Sequence, residues 1–337
     1  MRVLHAPENI AGQASILAKA QRELGIKADV LVFDQNKFNY EYTINLSLSG
    51  KKKIIGIFLQ IFNFTRCFFK YDIFHFHFGG SLLPRNLDLP ILKFFGKKIV
   101  MHYYGSDIRR SDIAVNYVYF KTPDELHKIY PEKEDESKQK KITENEKYVD
   151  ITIVDDYPLL VYSPNSIVIH MAIDLSKFDF TGFDNRTKKL KIVHAPSHRD
   201  KKGTKYILPV IERLINEKYD IDFILLENRT NDEVIEICKN ADIIIDQLLL
   251  ESHGVFLIEN MALGKPVLCR IDEKFMKYYP EIPILRTDPD NIYENLKLLI
   301  ENPDLRKELG EKGRKYVEEN HDSKKIAKQV LEIYNSI

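Results

Sequence analysis

The sequence predicts an α/β protein with two doubly wound, Rossmann-like domains in tandem. Its 337 residues exceed one ordinary hydrophobic core and favour two domains of about 150 residues each. Short apolar runs alternate with longer helical patterns, which is typical of a parallel sheet covered by helices on both faces. Glycine, asparagine and a basic run break that alternation at 173–190. We therefore predict an N-terminal domain over 1–172, a linker over 173–190 and a C-terminal domain over 191–321.

Apolar runs and periodic segments predict the elements in order. In the first half we predict strands over 2–5, 28–33, 73–77, 98–102, 151–154 and 166–169, and helices over 12–24 and 51–69. In the second half we predict strands over 191–194, 222–226, 243–246 and 266–269, and helices over 204–217, 231–240 and 254–263. The final segment, 322–337, has an apolar i, i+4, i+7 stripe, and we expect this helix to pack back on the N-terminal domain. Ligands of such sheets bind at the carboxyl ends of the strands, so we expect them in a cleft between the domains.

Composition excludes several classes of protein. Fifty Lys and Arg residues balance fifty Asp and Glu residues, so no net positive field recruits nucleic acid. The three cysteines are far apart and lack metal-ligand spacing, which indicates free thiols in a reducing compartment. No run approaches the roughly 20 apolar residues that span a bilayer. We predict a cytoplasmic protein without a nucleic-acid partner.

Two common phosphate-binding motifs are missing. No GxGxxG follows the first strand, where NIAGQAS offers only Gly12, and no GxxxxGK[ST] occurs; this argues against a dinucleotide cofactor and a P-loop. The second half offers HAPSHRDKKGTKYI instead, with Arg199 and Lys202 just before a glycine and a helix. Arginine and lysine both bind phosphate oxygens. Solvated loop residues would show the same pattern, so both readings stay open.

The segment 251–269, ESHGVFLIENMALGKPVLC, places two carboxylates around a helix start. Glu251 falls in the strand-to-helix loop and Glu259 in the helix itself. The free N–H groups of a helix start bind anions, and a carboxylate beside them can accept hydrogen bonds from a ribose diol. The alternative is that Glu259 only complements the helix dipole.

This segment closely resembles the donor-site segment of the retaining GT-B glycosyltransferases of family 4. The resemblance rests on E-x7-E followed by NMALGKPV, and it extends over nearly the whole chain through VLHAPENIAGQASILAKAQRELG, DIFHFHFGG and VMHYYGSDIR. It implies a GT-B architecture, in which two Rossmann-like domains face each other across a cleft. It also implies an enzyme that transfers a sugar from a nucleotide-diphosphate sugar to a glycan or lipid-linked acceptor, with no metal and no cofactor beyond that co-substrate.

The resemblance implies a role for each matching residue. Glu259 would bind the ribose hydroxyls, Glu251 would lie near the donor sugar, and Arg199 and Lys202 would neutralise the diphosphate. The remaining donor contacts would be the N-terminal loop glycine and the backbone N–H groups at the second helix start, namely Gly12, Gly254, Val255 and Phe256. The implied catalytic group consists of Glu251, His102, Arg199 and Lys202.

His102 would touch the transferring sugar or the acceptor. Further candidates for acceptor contact end or follow the predicted strands: His77, Tyr103, Tyr104, Asp107 and Arg109. A His-x-His pair at 75–77 together with His102 also offers three histidines, a residue type that binds zinc. No carboxylate or cysteine stands at ligand spacing, so an acceptor contact or a structural hydrogen bond is favoured over zinc.

The segment 51–70, KKKIIGIFLQIFNFTRCFFK, is apolar with basic ends. The simpler reading is a core helix with snorkelling lysines. The alternative is a helix on a membrane surface, which would place the protein peripherally on the inner face of the membrane.

Two functions remain as alternatives to a glycosyltransferase: a nucleotide-sugar 2-epimerase of the same architecture, and a non-catalytic GT-B binding module.

Overall fold

The structure is a computed structural model and describes residues 1–36, 38–182 and 189–337. The chain divides into two units. The first comprises Met1–Ile113, Glu132–Ala172 and Ser323–Ile337, and the second comprises Ala114–Pro131 and Ile173–Asp322. Residues 183–188 of the predicted linker lie outside the described residues.

A parallel sheet forms the centre of the first unit. Among the described residues it has seven strands: β1 (Arg2–Ala6), β2 (Lys27–Val32), β3 (Ile44–Asn45), β4 (Ile73–His77), β5 (Lys98–Tyr103), β6 (Ile151–Val154) and β7 (Ile167–Val168). Their order is β3-β2-β1-β4-β5-β6-β7. The helices found here are α1 (Gln13–Glu23), α2 (Lys53–Lys70), α3 (Asp88–Phe94), α4 (Ser111–Ala114), which ends at the unit boundary, α6 (Asp135–Glu146) and α13 (Ser323–Ser336).

The core of the first unit includes the last helix of the chain. Ile326, Val330 and Ile333 share one face of α13, and all three are buried with the side chains of α1, β1 and β2. Complete burial of one such side chain contributes about 1.5–3 kcal/mol. Packing of this apolar stripe therefore accounts for the position of α13 in the first unit.

The second unit is built on a smaller parallel sheet. Its strands are β8 (Leu190–His194), β9 (Ile221–Leu225), β10 (Ile243–Ile245), β11 (Val267–Cys269) and β12 (Leu285–Arg286), in the order β12-β11-β10-β8-β9. Its helices are α5 (Pro123–Ile129), α7 (Arg199–Lys202), α8 (Thr204–Asn216), α9 (Asn231–Cys238), α10 (Val255–Ala262), α11 (Ile292–Glu301) and α12 (Pro303–Asn320). The isoleucines of β10 are all buried, as expected for a central parallel strand.

One segment lies in a different unit from the predicted one. The sequence places Ala114–Pro131 in the domain 1–172, whereas the structure assigns it to the second unit. The cause is a set of polar contacts within that unit. Arg270 Nη1 donates to the Tyr117 carbonyl at 2.8 Å, and Lys205 pairs with Glu125.

The prediction that 51–70 forms a core helix is wrong. Only Asn63, Phe64 and Cys67 of α2 are buried, and Phe58 is 67% exposed. The reason is that apolar residues surround nearly the whole helix, so only one side can face the sheet. Among the described residues, no helix has the length and apolarity that crossing a bilayer requires.

Candidate functional site

Two ion pairs lie where strands of the second sheet end. Asp246 directly follows β10 and is buried, and its Oδ1 lies 2.6 Å from Lys202 Nζ. Arg199, the first residue of α7, pairs with Glu227, which follows β9, through Nε at 2.8 Å from Oε1. The Glu227 carboxylate raises the pKa of Arg199. The structure thus brings the two predicted phosphate-binding cations to the carboxyl edge of the sheet.

The start of α10 lies beside Lys202. Gly254 precedes the helix, and a Cβ built on it would lie 3.6 Å from Lys202 Nζ. Val255 and Phe256 then contribute the first backbone N–H groups of α10, which have no acceptor within the helix. An ammonium group beside a helix N-terminus is a favourable place for a phosphate.

Glu259 is buried in the second turn of α10. Burial raises the pKa of its carboxyl group to about 7. Asn231 Nδ2 donates to Glu259 Oε1 at 3.0 Å. An ionised carboxylate has about four lone-pair positions, so acceptor capacity remains for a pair of hydroxyl groups. This remaining capacity is compatible with binding of the ribose hydroxyl groups. A glutamate that only complements the helix dipole would not need it.

The Glu251 side chain is fully buried, and its loop is held by a buried amide. Gln247 Nε2 donates to the carbonyls of Ser252 at 2.8 Å and Arg270 at 2.7 Å. Gln247 Oε1 accepts from the backbone N–H of Leu250 at 2.6 Å. Arg270 Nη1 in turn donates to the Leu250 carbonyl at 2.9 Å. These bonds fix the backbone that presents Glu251.

The sequence analysis missed four residues of this region: Asn231, Asp246, Gln247 and Arg270. A sequence signal exists for Asp246 and Gln247, because polar residues directly after the apolar run of β10 lie at the edge where ligands bind. Asn231 and Arg270 act on residues 28 and 20 positions away. No local pattern marks such contacts.

Four buried histidines lie together in the first unit, on the strands β1, β4 and β5: His5, His75, His77 and His102. His5 Nδ1 lies 3.0 Å from His77 Nε2, and His75 Nε2 lies 3.3 Å from His102 Nδ1. Burial lowers the pKa of His5 to about 4 and that of His102 to about 3. The cluster is therefore neutral at pH 7.

Three other side chains complete the hydrogen bonds of this cluster: Gln21, Tyr104 and Tyr334. His77 Nδ1 lies 2.6 Å from the Tyr104 hydroxyl, so both ring nitrogens of His77 are engaged. A direct hydrogen bond between His77 and a sugar acceptor would have to replace one of these bonds, whereas the Tyr104 oxygen can still accept a further hydrogen bond. His102 Nε2, in contrast, is buried and has no hydrogen-bond partner among the described residues.

Donor atoms of His5, His75 and His77 lie within 4.8 Å of one another, close enough to consider a metal ion. The rings of His75 and His77 are stacked, however, with centroids 4.6 Å apart and planes at 3°. Metal binding needs ring nitrogens that converge on one point. The geometry therefore favours a hydrogen-bonded cluster.

The second unit contains a D-x-D sequence, Asp288-Pro-Asp290, which in other proteins can bind a metal ion. Here it forms a turn, in which Asp288 Oδ1 accepts a hydrogen bond from the Asp290 N–H at 2.9 Å.

Asp107 and Arg109 lie on the loop after β5. Asp107 accepts hydrogen bonds from the backbone N–H groups of Tyr104 at 3.0 Å and Gly105 at 2.8 Å, while burial raises its pKa to about 6. Gly105 has a φ of +113°, a backbone conformation that favours glycine, and the Arg109 guanidinium packs across it. This loop therefore has a fixed shape that requires glycine at 105.

Gly12 and Tyr103 lie elsewhere in the first unit. Gly12 has a φ of +72°, and the Tyr40 ring lies 2.9 Å from the position of a Cβ there. Tyr103 is buried, and Asn145 Nδ2 donates to its hydroxyl at 3.3 Å. Asn145 also lines a cavity of about 870 Å³, whose lining includes apolar residues and the polar side chains of Glu8, Gln60, Asn86, Lys140 and Lys141.

Comparison with known proteins gives a family match over part of the chain, most of it in the second unit. Residues 214–332 match the family described as "Glycosyl transferase-like". The trehalose synthase of Pyrococcus horikoshii is 29% identical over 152 residues, which cover 44% of this chain and 36% of the synthase. The match therefore spans little more than a third of that relative's length.

Solved structures share the fold over almost the whole chain. Sucrose-phosphate synthase from Thermosynechococcus elongatus has a TM-score of 0.68 at 15% identity, covering 99% of this chain and 98% of that chain. Anabaena HepE in complex with UDP-glucose has a TM-score of 0.64 at 12% identity, covering 99% of each chain. UDP-GlcNAc 2-epimerase from Neisseria meningitidis bound to UDP-GlcNAc has a TM-score of 0.55 at 15% identity, covering 100% of each chain. The predicted GT-B architecture with two Rossmann-like units is confirmed.

Proposed function

We propose that this chain, a GT-B protein of the group 1 glycosyltransferases, is a retaining enzyme that transfers a sugar from a nucleoside-diphosphate sugar to a hydroxyl-bearing acceptor. One observation carries the proposal: Lys202, the start of α10 and the buried Glu259 lie in the second unit, where the strands of its sheet lead into helices. Structural relatives crystallised with UDP-glucose and UDP-GlcNAc support a nucleotide-sugar ligand. Membership of family 4 is part of the proposal.

The second unit would act on the sugar donor mainly through charge. As the bond between the sugar and the diphosphate breaks, negative charge grows on the leaving phosphate. Arg199, Lys202 and the N–H groups of α10 stabilise that charge more in the transition state than in the ground state. These cations take the place of a metal ion, so we propose a metal-independent reaction without a cofactor.

The proposed transfer needs no protein nucleophile. The acceptor oxygen forms a bond to the anomeric carbon on the face that the diphosphate leaves, and the anomeric carbon–phosphate oxygen bond breaks. The acceptor proton passes to the departing phosphate oxygen. By the family resemblance, Glu251 lies near the donor sugar and His102 touches the sugar or the acceptor.

A nucleotide-binding experiment tests the donor site. Thermal unfolding is measured with UDP, GDP, ADP, dTDP and CMP for the wild type and for Glu259→Gln. A ligand at a hundred times its Kd adds about 2.7 kcal/mol of stability, and we expect this shift for one diphosphate and its loss in the variant. Asp242→Asn is the matched control, because Asp242 is a buried carboxyl group at the opposite end of β10. An equal loss in both variants, or no shift with any nucleotide, would overturn the donor assignment.

Product analysis separates the rival functions. The epimerase fold relative makes a 2-epimerase the first rival, and that activity would consume a nucleotide sugar without any acceptor. A glycosyltransferase instead releases the nucleoside diphosphate as its acceptor becomes glycosylated. A non-catalytic module would bind the nucleotide and leave the sugar nucleotide intact.

We further propose that the acceptor is lipid-linked and that α2 and α3 dock on an anionic membrane surface. Exposed apolar side chains on the two helices include Ile54 (77%), Phe58 (67%), Phe69 (74%) and Phe94 (83%). The helices meet through Phe68 and Phe95, whose ring centroids are 5.2 Å apart. Lysines at 51–53 and at positions 70, 93 and 97 flank this apolar surface, as in interfacial helices.

Vesicle co-sedimentation tests the membrane proposal. We expect binding to vesicles with anionic lipid, and its loss in Phe58→Ser/Phe94→Ser. The control is Ile215→Ser/Leu298→Ser, which removes two exposed apolar side chains of the second unit, 45% and 44% exposed. Failure of the wild type to bind at low salt would refute the membrane proposal and leave the donor site unaffected.

A further inference from the structure

Hydrogen bonds join six buried side chains and the half-buried Tyr104 of the first unit into one continuous chain. In order, its members are Tyr104, His77, His5, Gln21, Tyr334, His75 and His102. We call this arrangement the histidine circuit. It draws on β1, β4, β5, α1, α13 and the residue after β5.

One amide sets the direction of the first half of the circuit. A neutral imidazole has a proton on only one ring nitrogen, so donation at one nitrogen obliges acceptance at the other. Gln21 Oε1, an acceptor, lies 2.9 Å from His5 Nε2, so His5 donates there and accepts at Nδ1. His77 must then donate from Nε2 to His5, and it accepts at Nδ1 from the Tyr104 hydroxyl.

The same amide sets the second half. Gln21 Nε2 donates to the Tyr334 oxygen at 3.4 Å, and the single hydroxyl proton of Tyr334 is left for His75 Nδ1 at 2.5 Å. The proton of His75 therefore resides on Nε2 and is donated to His102 Nδ1. His102 must then carry its own proton on Nε2, the buried nitrogen without a partner among residues 1–36, 38–182 and 189–337.

We infer that the histidine circuit holds His102 as a neutral Nε2–H donor, and that Tyr334 and Gln21 are positioning residues which act through it. His102 lies near the carboxyl end of β5, where ligands of parallel sheets bind. Its Nε2–H would donate to an oxygen atom of the substrate. This last step rests on the proposed function, whereas the protonation state of His102 does not.

The first test reads the proton positions directly. Nitrogen-15 NMR of histidine-labelled wild-type protein distinguishes a protonated ring nitrogen from an unprotonated one, and the His102 signals are assigned by their loss in His102→Phe. We expect protonated Nε2 and unprotonated Nδ1 at pH 7. A protonated Nδ1 would mean that the circuit runs in the opposite direction and would overturn the inference.

The second test breaks the circuit at a distance. Tyr334→Phe removes the hydroxyl that donates to His75, so we expect His102 to become a mixture of both tautomers. Transfer should slow by about tenfold while nucleotide affinity stays unchanged. Tyr71→Phe is the matched control, because Tyr71 is also buried and donates to Asp29 at 2.6 Å. An unchanged His102 tautomer in Tyr334→Phe would overturn the positioning role.

The two tests separate this inference from the proposed function. If the protein transfers no sugar but His102 has the expected tautomer, the circuit stands and the proposed function fails. If transfer occurs with the other tautomer, the proposed function stands and the circuit as assigned is wrong.

Discussion

The two candidate sites share a sheet architecture but differ in their polarity. At the edge of the second sheet, formal charges are held in pairs, such as Lys202 with Asp246 and Arg199 with Glu227. In the first unit, neutral histidines are linked by directional hydrogen bonds, and burial lowers their pKa values. Paired charges match a diphosphate, and a neutral donor matches a hydroxyl group. Under the proposed function, one fold plan serves two kinds of recognition through the residues near the ends of its strands.

Removal of Lys202 should have the largest effect on the charged site. Lys202→Met leaves the Asp246 carboxylate buried without its cation, and breaking such a pair costs roughly 3–5 kcal/mol. Unfolding by urea measures this loss. The double variant Lys202→Met/Asp246→Asn should regain most of the stability without regaining diphosphate affinity. Wild-type nucleotide affinity in the double variant would contradict the phosphate role of Lys202.

Arg199 should affect binding without affecting stability. Its ion pair is largely exposed, so Arg199→Gln should change the free energy of unfolding by at most about 1 kcal/mol. Loss of a charged hydrogen bond to phosphate should weaken diphosphate affinity at least about tenfold. Calorimetric titration measures this, with Arg213→Gln as control because Arg213 also pairs with a glutamate on the surface. Equal affinities in both variants would refute the assignment.

Glu259 should make the charged site sensitive to pH. Its folded pKa of about 7 exceeds the ordinary 4.5, so its contribution to stability falls as pH rises between these values. The proposed ribose binding uses the carboxylate, so nucleotide affinity should rise from pH 6 to pH 8 by at most about tenfold. Titrations at both pH values, on the wild type and Glu259→Gln, isolate this residue from ionisation of the nucleotide. A pH dependence that persists in the variant would exclude Glu259 as its source.

The sequence predicted the sheet-forming strands well and the polar contacts poorly. Strands such as 73–77 are continuous apolar or aromatic runs whose type depends on local composition. Arg199, Lys202, Glu251 and Glu259 were found because they surround predicted helix starts that follow such runs, and because the segment resembles a known donor site. The partners of these groups, Asn231 and Arg270, are fixed only once distant strands meet. The role of Gln21 in the histidine circuit has the same origin.

For the exposed helix α2, the sequence predicted the secondary structure correctly and the burial incorrectly. Its apolar composition predicts burial, and its length and pattern predict a helix correctly. Burial, however, is decided by the elements that happen to cover the helix, and sequence periodicity cannot distinguish a core helix from one that covers its apolar surface with another partner.

Tyr334 also sets an order of events during synthesis. It follows the whole of the second unit along the chain, so a ribosome releases every residue of that unit before it releases the tyrosine on which His75 depends. In the inferred histidine circuit, the histidines can acquire their defined proton arrangement only after Tyr334 has emerged. The histidine circuit of the first unit can therefore form only after synthesis of the second unit is complete.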